Sequence, residues 1–200
     1  MAHPNLFNCQ IHQAAREVAK ATVASSRTFA LAKLYDLTAD RLVRFAATVT
    51  RRQHDAEDAV ATVMLKVASR PELLMRAERP WHYLLRMVRN ESLVIVRSRS
   101  RLAAIGSLAD RLMGRTVDVV EQDDEKRVIW QALESLPDDQ REVIVLKIWE
   151  QITFAEIGEI LELSPSTAAS RYRYGLEKLS GKLSRSLGGP TPNVEPAEAI

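Results

Sequence analysis

Residues 153–174 read TFAEIGEILELSPSTAASRYRY, and this stretch decides the fold. Thr153 followed by Glu156 is a capping box: the threonine hydroxyl accepts the Glu156 N–H, and the glutamate reaches back to the Thr153 N–H. Behind it, Phe154, Ile157, Ile160 and Leu161 share one helix face. Glu162-Leu163 breaks the helix. Ser164-Pro165 then supplies an N-cap and a first helical residue whose missing N–H costs nothing. In the second helix Ala168, Tyr172, Gly175, Leu176 and Leu179 recur at helical spacing. A short capped helix, a tight turn and a second helix make a helix-turn-helix. Small residues at Gly158 and Ala168 are expected to let its two helices cross closely.

The outward face of the second helix carries Ser166, Thr167, Ala169, Ser170, Arg171, Arg173 and Tyr174, with no acid before Glu177. Short hydroxyls bond bases or phosphates, arginine forks onto guanine or grips phosphate, and a helix N-terminus attracts phosphate. Such a face suits a helix entered N-terminus first into a major groove. A helical hairpin with a solvated polar face is the plainer alternative. Double capping and the missing acids favour DNA.

Working upstream, apolar residues keep helical spacing almost everywhere, and strand-like alternation is nearly absent, so the class is all-α. Helices are expected near Ile11–Thr22, over Leu31–Val49 (with Leu31, Leu34, Tyr35, Leu42, Phe45, Ala46 and Val49 inward) and over Asp55–Ala68. In the third, Ala59, Val60, Val63, Met64 and Val67 make the buried stripe, and Asp55, Glu57 and Asp58 sit where the helix dipole prefers acids. Arg70-Pro71 ends it. A loop or short helix follows over Glu72–Pro80. A long helix then runs from Trp81 to about Arg101, apolar early (Leu84, Met87, Val88) and arginine-rich late. Gly106, Gly114 and broken periodicity mark a linker. Further helices are expected over Asp123–Glu134 and from Pro137, at the first helical position, through Trp149. The expected organisation is an N-terminal extension (1–28), a helical domain (29–102), a flexible linker (103–122), the helix-turn-helix domain (123–186) and a disordered Pro/Gly-rich tail (187–200).

Composition sets the outer limits. The chain has 200 residues, 46% hydrophobic and 27% charged, which is ordinary for a folded chain and excludes a mostly disordered one. One cysteine, Cys9, excludes an intramolecular disulfide framework and an all-cysteine zinc site. The four histidines lack metal-ligand spacing. No apolar run approaches the roughly 18 residues of a membrane span, and no secretory signal opens the chain, so a cytoplasmic protein without membrane insertion is expected. The net charge is only +2, but it is unevenly spread. Residues 70–101 and 164–185 are basic and residues 118–142 acidic, so two separate stretches can meet phosphate.

Here a resemblance enters. Leu136-Pro137-Asp138-Asp139-Gln140-Arg141-Glu142-Val143, followed by 153–179 with its Ser164-Pro165-Ser166-Thr167-Ala168-Ala169-Ser170-Arg171, resembles region 4 of bacterial sigma factors of the extracytoplasmic-function (ECF) type, in the sigma-70 superfamily. Asp55-Ala56-Glu57-Asp58-Ala59-Val60 with Lys66 resembles the acidic signature of sigma region 2. Tyr83-Leu84-Leu85-Arg86-Met87-Val88-Arg89-Asn90 resembles the signature that follows it, usually Trp-Leu-x-x-Ile-Ala-Arg-Asn. The chain departs from the pattern at Tyr83, at Glu91 and Val94, at Glu162 (often glycine) and at Ala168 (often valine). The resemblance spans about Phe29–Arg185.

It implies two helical domains on a flexible linker and a role in transcription initiation, with core RNA polymerase and promoter DNA as partners. It also admits an anti-sigma factor. It implies no cofactor, no metal, no small-molecule substrate and no catalytic residue. Asp55, Glu57 and Asp58 match the polymerase-binding signature. Arg86, Arg89 and Asn90, with Arg97, Arg99 and Arg101, match the helix lying along the −10 element. Ser166, Thr167, Ser170, Arg171, Arg173 and Tyr174 lie on the helix that reads the −35 element. The family's base-capturing loop corresponds to about Leu73–His82. Trp81 and His82 are candidates to stack on a flipped base, with a core position as the alternative for Trp81.

Three other readings of the residues compete, and one of them, a pure protein-interaction module such as an anti-activator, is opposed by the basic recognition face. A dimeric helix-turn-helix regulator needs an apolar dimer face upstream, where this chain instead ends a helix in arginines. A metal phosphohydrolase would use His54-Asp55 with Glu57 and Asp58, and would need further ligands from other helices.

Overall fold

A computed structural model describes the backbone of residues 4–21, 23–105 and 124–187, and the side chains of 6–21, 23–102 and 129–183. The helices are α1 (Pro4–Lys20), α2 (Ala24–Thr50), α3 (Gln53–Ser69), α4 (Glu72–Arg76), α5 (Pro80–Ile105), α6 (Asp124–Glu134), α7 (Asp138–Ile148), α8 (Phe154–Leu161) and α9 (Pro165–Leu187). No strand occurs among the described residues. The chain divides into two compact units, Met1–Asp118 and Val119–Ile200. Helix α5 runs on to Ile105, into the expected linker; the rest of that linker, and the tail beyond Leu187, lie outside the described residues.

In the first unit α2 is central and packs against α1, α3 and α5. Its inward stripe is Leu34, Thr38, Leu42, Phe45, Ala46 and Val49, all buried. Each such large apolar side chain contributes roughly 1.5–3 kcal/mol of burial energy. Tyr35, expected inward, is 45% exposed. It follows Leu34 by about 100° of helix turn, and the inward position one turn on is taken by Thr38. That buried hydroxyl is satisfied by donating to the Leu34 carbonyl at 2.7 Å. Helix α3 buries the expected stripe from Ala59 to Val67.

The N-terminal extension has a packing role. Phe7, Ile11, Ala14, Ala15 and Val18 of α1 are buried, and α1 packs on α2, α4 and α5. Phe7 meets Trp81 edge-on with centroids 5.0 Å apart, and the Arg41 guanidinium lies over both rings at 4.1 and 4.6 Å. The Asn8 side-chain oxygen accepts the Trp81 backbone N–H at 3.3 Å. Lys33 of α2 donates to Glu17 of α1 at 3.1 Å, and this ammonium, helped by the Gln13 amide, holds the Glu17 carboxyl below its ordinary range.

In the second unit Arg141–Leu146 of α7 are buried without a break. Helices α6, α7 and α8 each pack against α9. Leu133, Leu136, Ile144 and Leu179 form the core, with Trp130 stacked on Trp149 at 5.9 Å. Pro137 sits at the cap of α7 (φ −53°, ψ 144°) with Asp138 as first helical residue, one position later than expected. Arg141 is only 1% exposed. Its guanidinium donates to the carbonyls of Glu134 (3.2 Å) and Leu136 (3.3 Å) and to the Asp138 carboxylate, and so binds the α6–α7 turn.

Candidate nucleic-acid interface

Helix α8 opens on the expected capping box. The Glu156 N–H donates to Thr153 Oγ1 at 3.3 Å, and the Thr153 N–H donates to the Glu156 carboxylate at 2.9 Å. The helix ends at Glu162, which holds φ 59° in the left-handed region while the Leu163 N–H returns to the Gly158 carbonyl at 3.0 Å. A Cβ on Gly158 would stand 2.6 Å from the Leu163 carbonyl oxygen. Gly158 therefore makes room first for the turn's backbone, with the Pro165 nitrogen that opens α9 next at 3.6 Å. The glycine at a close helix contact is Gly175, whose Cβ would meet Ile144 of α7 at 2.6 Å.

Helix α9 begins where Ser164 accepts the Thr167 N–H at 3.1 Å, with Pro165 as first helical residue. Ala168 is fully buried, and Tyr172 packs edge-on against Phe154 of α8 with centroids 5.5 Å apart. This fixes which face turns outward. Ser166, Thr167, Arg173 and Tyr174 are exposed, while Ser170 and Arg171 are half-buried. The Ser166 and Thr167 hydroxyls lie 2.9 and 2.7 Å from Ser164 Oγ, so the first turn gathers three hydroxyls at the start of the helix. Arg173 lies over the Tyr174 ring at 5.0 Å. Arg171 donates to Asp139 of α7 at 3.2 Å, a partner the sequence reading did not single out although Asp139 stands within the quoted Leu-Pro stretch.

The first unit separates its candidate residues into two sets. On α5, Arg86, Asn90, Arg97 and Arg101 are exposed and follow one another at whole turns, so they form one outward stripe. Arg89 is half-buried, and Arg86 lies over the Tyr83 ring at 5.4 Å. Arg99 instead turns inward. It pairs with Asp55 and donates to the Thr50 carbonyl at 3.3 Å. Of the three α3 acids, Glu57 and Asp58 are exposed and Asp55 is not. Glu57 accepts from the Gln53 amide at 2.7 Å, and Asp58 lies 3.7 Å from His54. Lys66 pairs with Glu91 across α3 and α5, which gives this chain's unusual Glu91 a partner.

Trp81 is 3% exposed and packed against Phe7. It is core, so its base-stacking alternative falls; His82 is half-buried. The His54–Asp58 cluster does not assemble as a metal site: Asp55 is engaged by Arg99, and no group of three or more His, Cys, Asp or Glu able to hold a metal occurs among the described residues.

Residues 34–102 match the family Sigma-70 region 2, and residues 126–179 match Sigma-70, region 4. The chain is 29% identical over 170 residues to an ECF RNA polymerase sigma factor SigK of Mycobacterium sp. (strain KMS), covering 82% of this chain and 88% of that protein. It is also 29% identical over 165 residues to the SigK of Mycolicibacterium vanbaalenii, covering 78% and 83%. Among solved structures, the sigma factor RpoE of Bartonella quintana, in complex with the anti-sigma factor NepR, superposes with TM-score 0.66 at 22% identity, over 75% of this chain and 94% of that one. CnrH, in complex with the cytosolic domain of CnrY, gives TM-score 0.56 at 19% identity, over 88% and 97%. These two show the likeness of fold. Because both conserved regions of a sigma factor are matched, in order and on separate units, the chain belongs to the sigma-70 family as a sigma factor of the ECF type.

Proposed function

We propose that this sigma factor carries core RNA polymerase to promoters with two separate grips. The outward stripe of α5 (Arg86, Asn90, Arg97, Arg101, with Arg89 beside it) lies along the −10 element. The first turns of α9 (Ser166, Thr167, Ser170, Arg171, with Arg173 and Tyr174) enter the major groove at the −35 element. The arginines mainly hold phosphates and set register, while sequence is read from groove edges and unstacked bases. Glu57 and Asp58 face the polymerase. The observation that carries this reading is the exposure of Arg86, Asn90, Arg97 and Arg101 along one line of α5 and of Ser166, Thr167, Arg173 and Tyr174 on α9, on two units that each match a sigma region.

The action is recruitment and strand opening, not catalysis. Each unstacked base costs roughly a few kcal/mol, which pocket and backbone contacts offset. The factor works on the polymerase in the cytoplasm. Because RpoE is solved with the anti-sigma factor NepR and CnrH with the cytosolic domain of CnrY, we extend an anti-sigma factor to this chain as a partner class.

The test is a reconstituted transcription assay with purified chain, bacterial core RNA polymerase and a genomic promoter library. Starts that share two upstream boxes and need the chain are expected. Retention of a palindromic duplex without any polymerase binding would replace this reading with the dimeric regulator.

A further inference from the structure

We propose that Asp55 and Arg99 form a latch that positions the C-terminal half of α5 for the promoter strand, and that Arg99 acts through this latch without touching DNA. The inference deepens the sigma-factor reading and rests on it for its functional half. It reassigns two candidate residues, one expected to face polymerase and one expected to face phosphate, which the structure joins to each other.

The need for a latch follows from packing. The last buried residues of α5 are Leu84, Leu85, Val88 and Ser92. Beyond Ser92 only Leu93, Ile95 and Val96 are half-buried apolar residues, and from Arg97 to Leu102 every residue but Arg99 is exposed, so the end that carries Arg97 and Arg101 has little apolar hold. Arg99 reaches back across that gap. One guanidinium arm pairs with Asp55 at the start of α3; the other donates to the Thr50 carbonyl at 3.3 Å. Thr50 is wholly buried at the end of α2, where carbonyls lack helical partners and the helix dipole is negative. Its hydroxyl donates to the Ala46 carbonyl at 3.1 Å and accepts the Arg52 N–H at 3.4 Å, so the anchor is rigid. The pair is shielded, with side-chain exposures of 34% for Arg99 and 17% for Asp55.

The orientation of the neighbours then follows from helix geometry. Arg97 and Arg101 each lie two residues from Arg99, about 200° around the helix. When Arg99 is held inward, both must face out. Releasing Arg99 frees the end of α5 to fray and to rotate those two cations away from one line.

The experiment uses the full chain and four variants: Asp55→Asn, Arg99→Ala, Arg99→Lys and the charge swap Asp55→Arg with Arg99→Asp. Hydrogen exchange of amides 94–102 reads the latch directly. Affinity for core polymerase, and affinity of the assembled holoenzyme for a fork-junction fragment from the strongest start mapped in the transcription assay, read its consequence. Exchange at 94–102 is expected to speed up by about tenfold in Asp55→Asn and Arg99→Ala, the loss of about one charge-assisted interaction. Arg99→Lys, able to keep one arm, is expected to fall between, and the swap to recover most of the protection. Polymerase affinity stays within about twofold while fork-junction affinity drops about fivefold, on that same free-energy scale. Asp55→Asn decides the mechanism by its sign. Removing a negative charge strengthens DNA binding if Arg99 is a simple phosphate contact, whereas the latch requires it to weaken. Stronger DNA binding by Asp55→Asn, or unchanged exchange at 94–102 in Asp55→Asn and Arg99→Ala, overturns the latch. A wild-type chain that fails to bind polymerase overturns the sigma reading alone, because the exchange arm still decides the latch.

Discussion

Arg171 on α9 and Asp139 on α7 stand 3.2 Å apart, a candidate DNA-reading cation held by a carboxylate of its own domain. Both side chains are partly solvated, so the pair is worth at most about 1 kcal/mol. Its effect is to aim Arg171 and to tax its transfer to phosphate. Asp139→Asn is expected to raise affinity for a −35-containing duplex up to about fivefold and to leave folding unchanged, a gain of roughly 1 kcal/mol. Arg171→Ala is expected to weaken binding and to flatten the slope of log K against log salt by about 1. Fluorescence anisotropy across a salt titration measures both.

The turn of the helix-turn-helix carries two positions of opposite sign. Glu162 holds a left-handed backbone that disfavours a side chain, so Glu162→Gly is expected to stabilise the domain by about 0.5–1 kcal/mol after the cost in unfolded-chain entropy. Gly158→Ala puts a methyl group against a backbone carbonyl and is expected to cost about 1–3 kcal/mol. Urea unfolding followed by the fluorescence of the Trp130–Trp149 pair reports this unit.

Arg141 is a structural cation. Truncation strands the carbonyls of Glu134 and Leu136 and leaves a void in the core, so Arg141→Ala is expected to cost about 3–5 kcal/mol. Arg141→Lys does not restore the fork that reaches three acceptors. The same fluorescence transition should shift to lower urea in both variants.

Trp81→Ala empties the contact between α1 and α5. A loss of about 3–5 kcal/mol is expected, with faster hydrogen exchange in α1, because Phe7 and Arg41 lean on this indole, while Asn8 holds only the Trp81 backbone N–H that the variant keeps.

Acid is expected to loosen α1 from α2. The Glu17 carboxyl is held below its ordinary value first by the Lys33 ammonium, so its contribution is present above the unfolded pKa and disappears as pH falls through the lower folded one. An NMR titration of Glu17 should move up toward the ordinary carboxylate value in Lys33→Ala, and high salt should narrow the difference between the two proteins.

How legible was this chain? The helix-turn-helix was read almost side chain by side chain, because its signals are local: a capping box, a Ser-Pro start and apolar spacing all act within a few residues. The buried stripe of α3 was legible for the same reason. The pairing of Asp55 with Arg99 is not legible in the sequence. Each looks like a surface charge when read along its own helix, and only the packing of α3 and α5 brings them into contact across 44 positions of sequence. Trp81 belongs with them, since the residues that bury it include Phe7 at the opposite end of the unit. Tyr35 fell on the wrong side of its stripe because a threonine that satisfies its own hydroxyl can occupy an inward position.

The sequence by itself determined the all-α class, the order of the helices, the two caps of the recognition motif and the family, because periodicity, capping and signature spacing are properties of contiguous residues. The tertiary structure alone decided which charges work outward and which inward. Arg97 and Arg101 stay available while Arg99 does not, Glu57 and Asp58 stay available while Asp55 does not, and Arg141 vanishes into the core. A charge is sorted by what lies opposite it, and for these residues the opposite group comes from another helix or from a backbone carbonyl freed at a helix end.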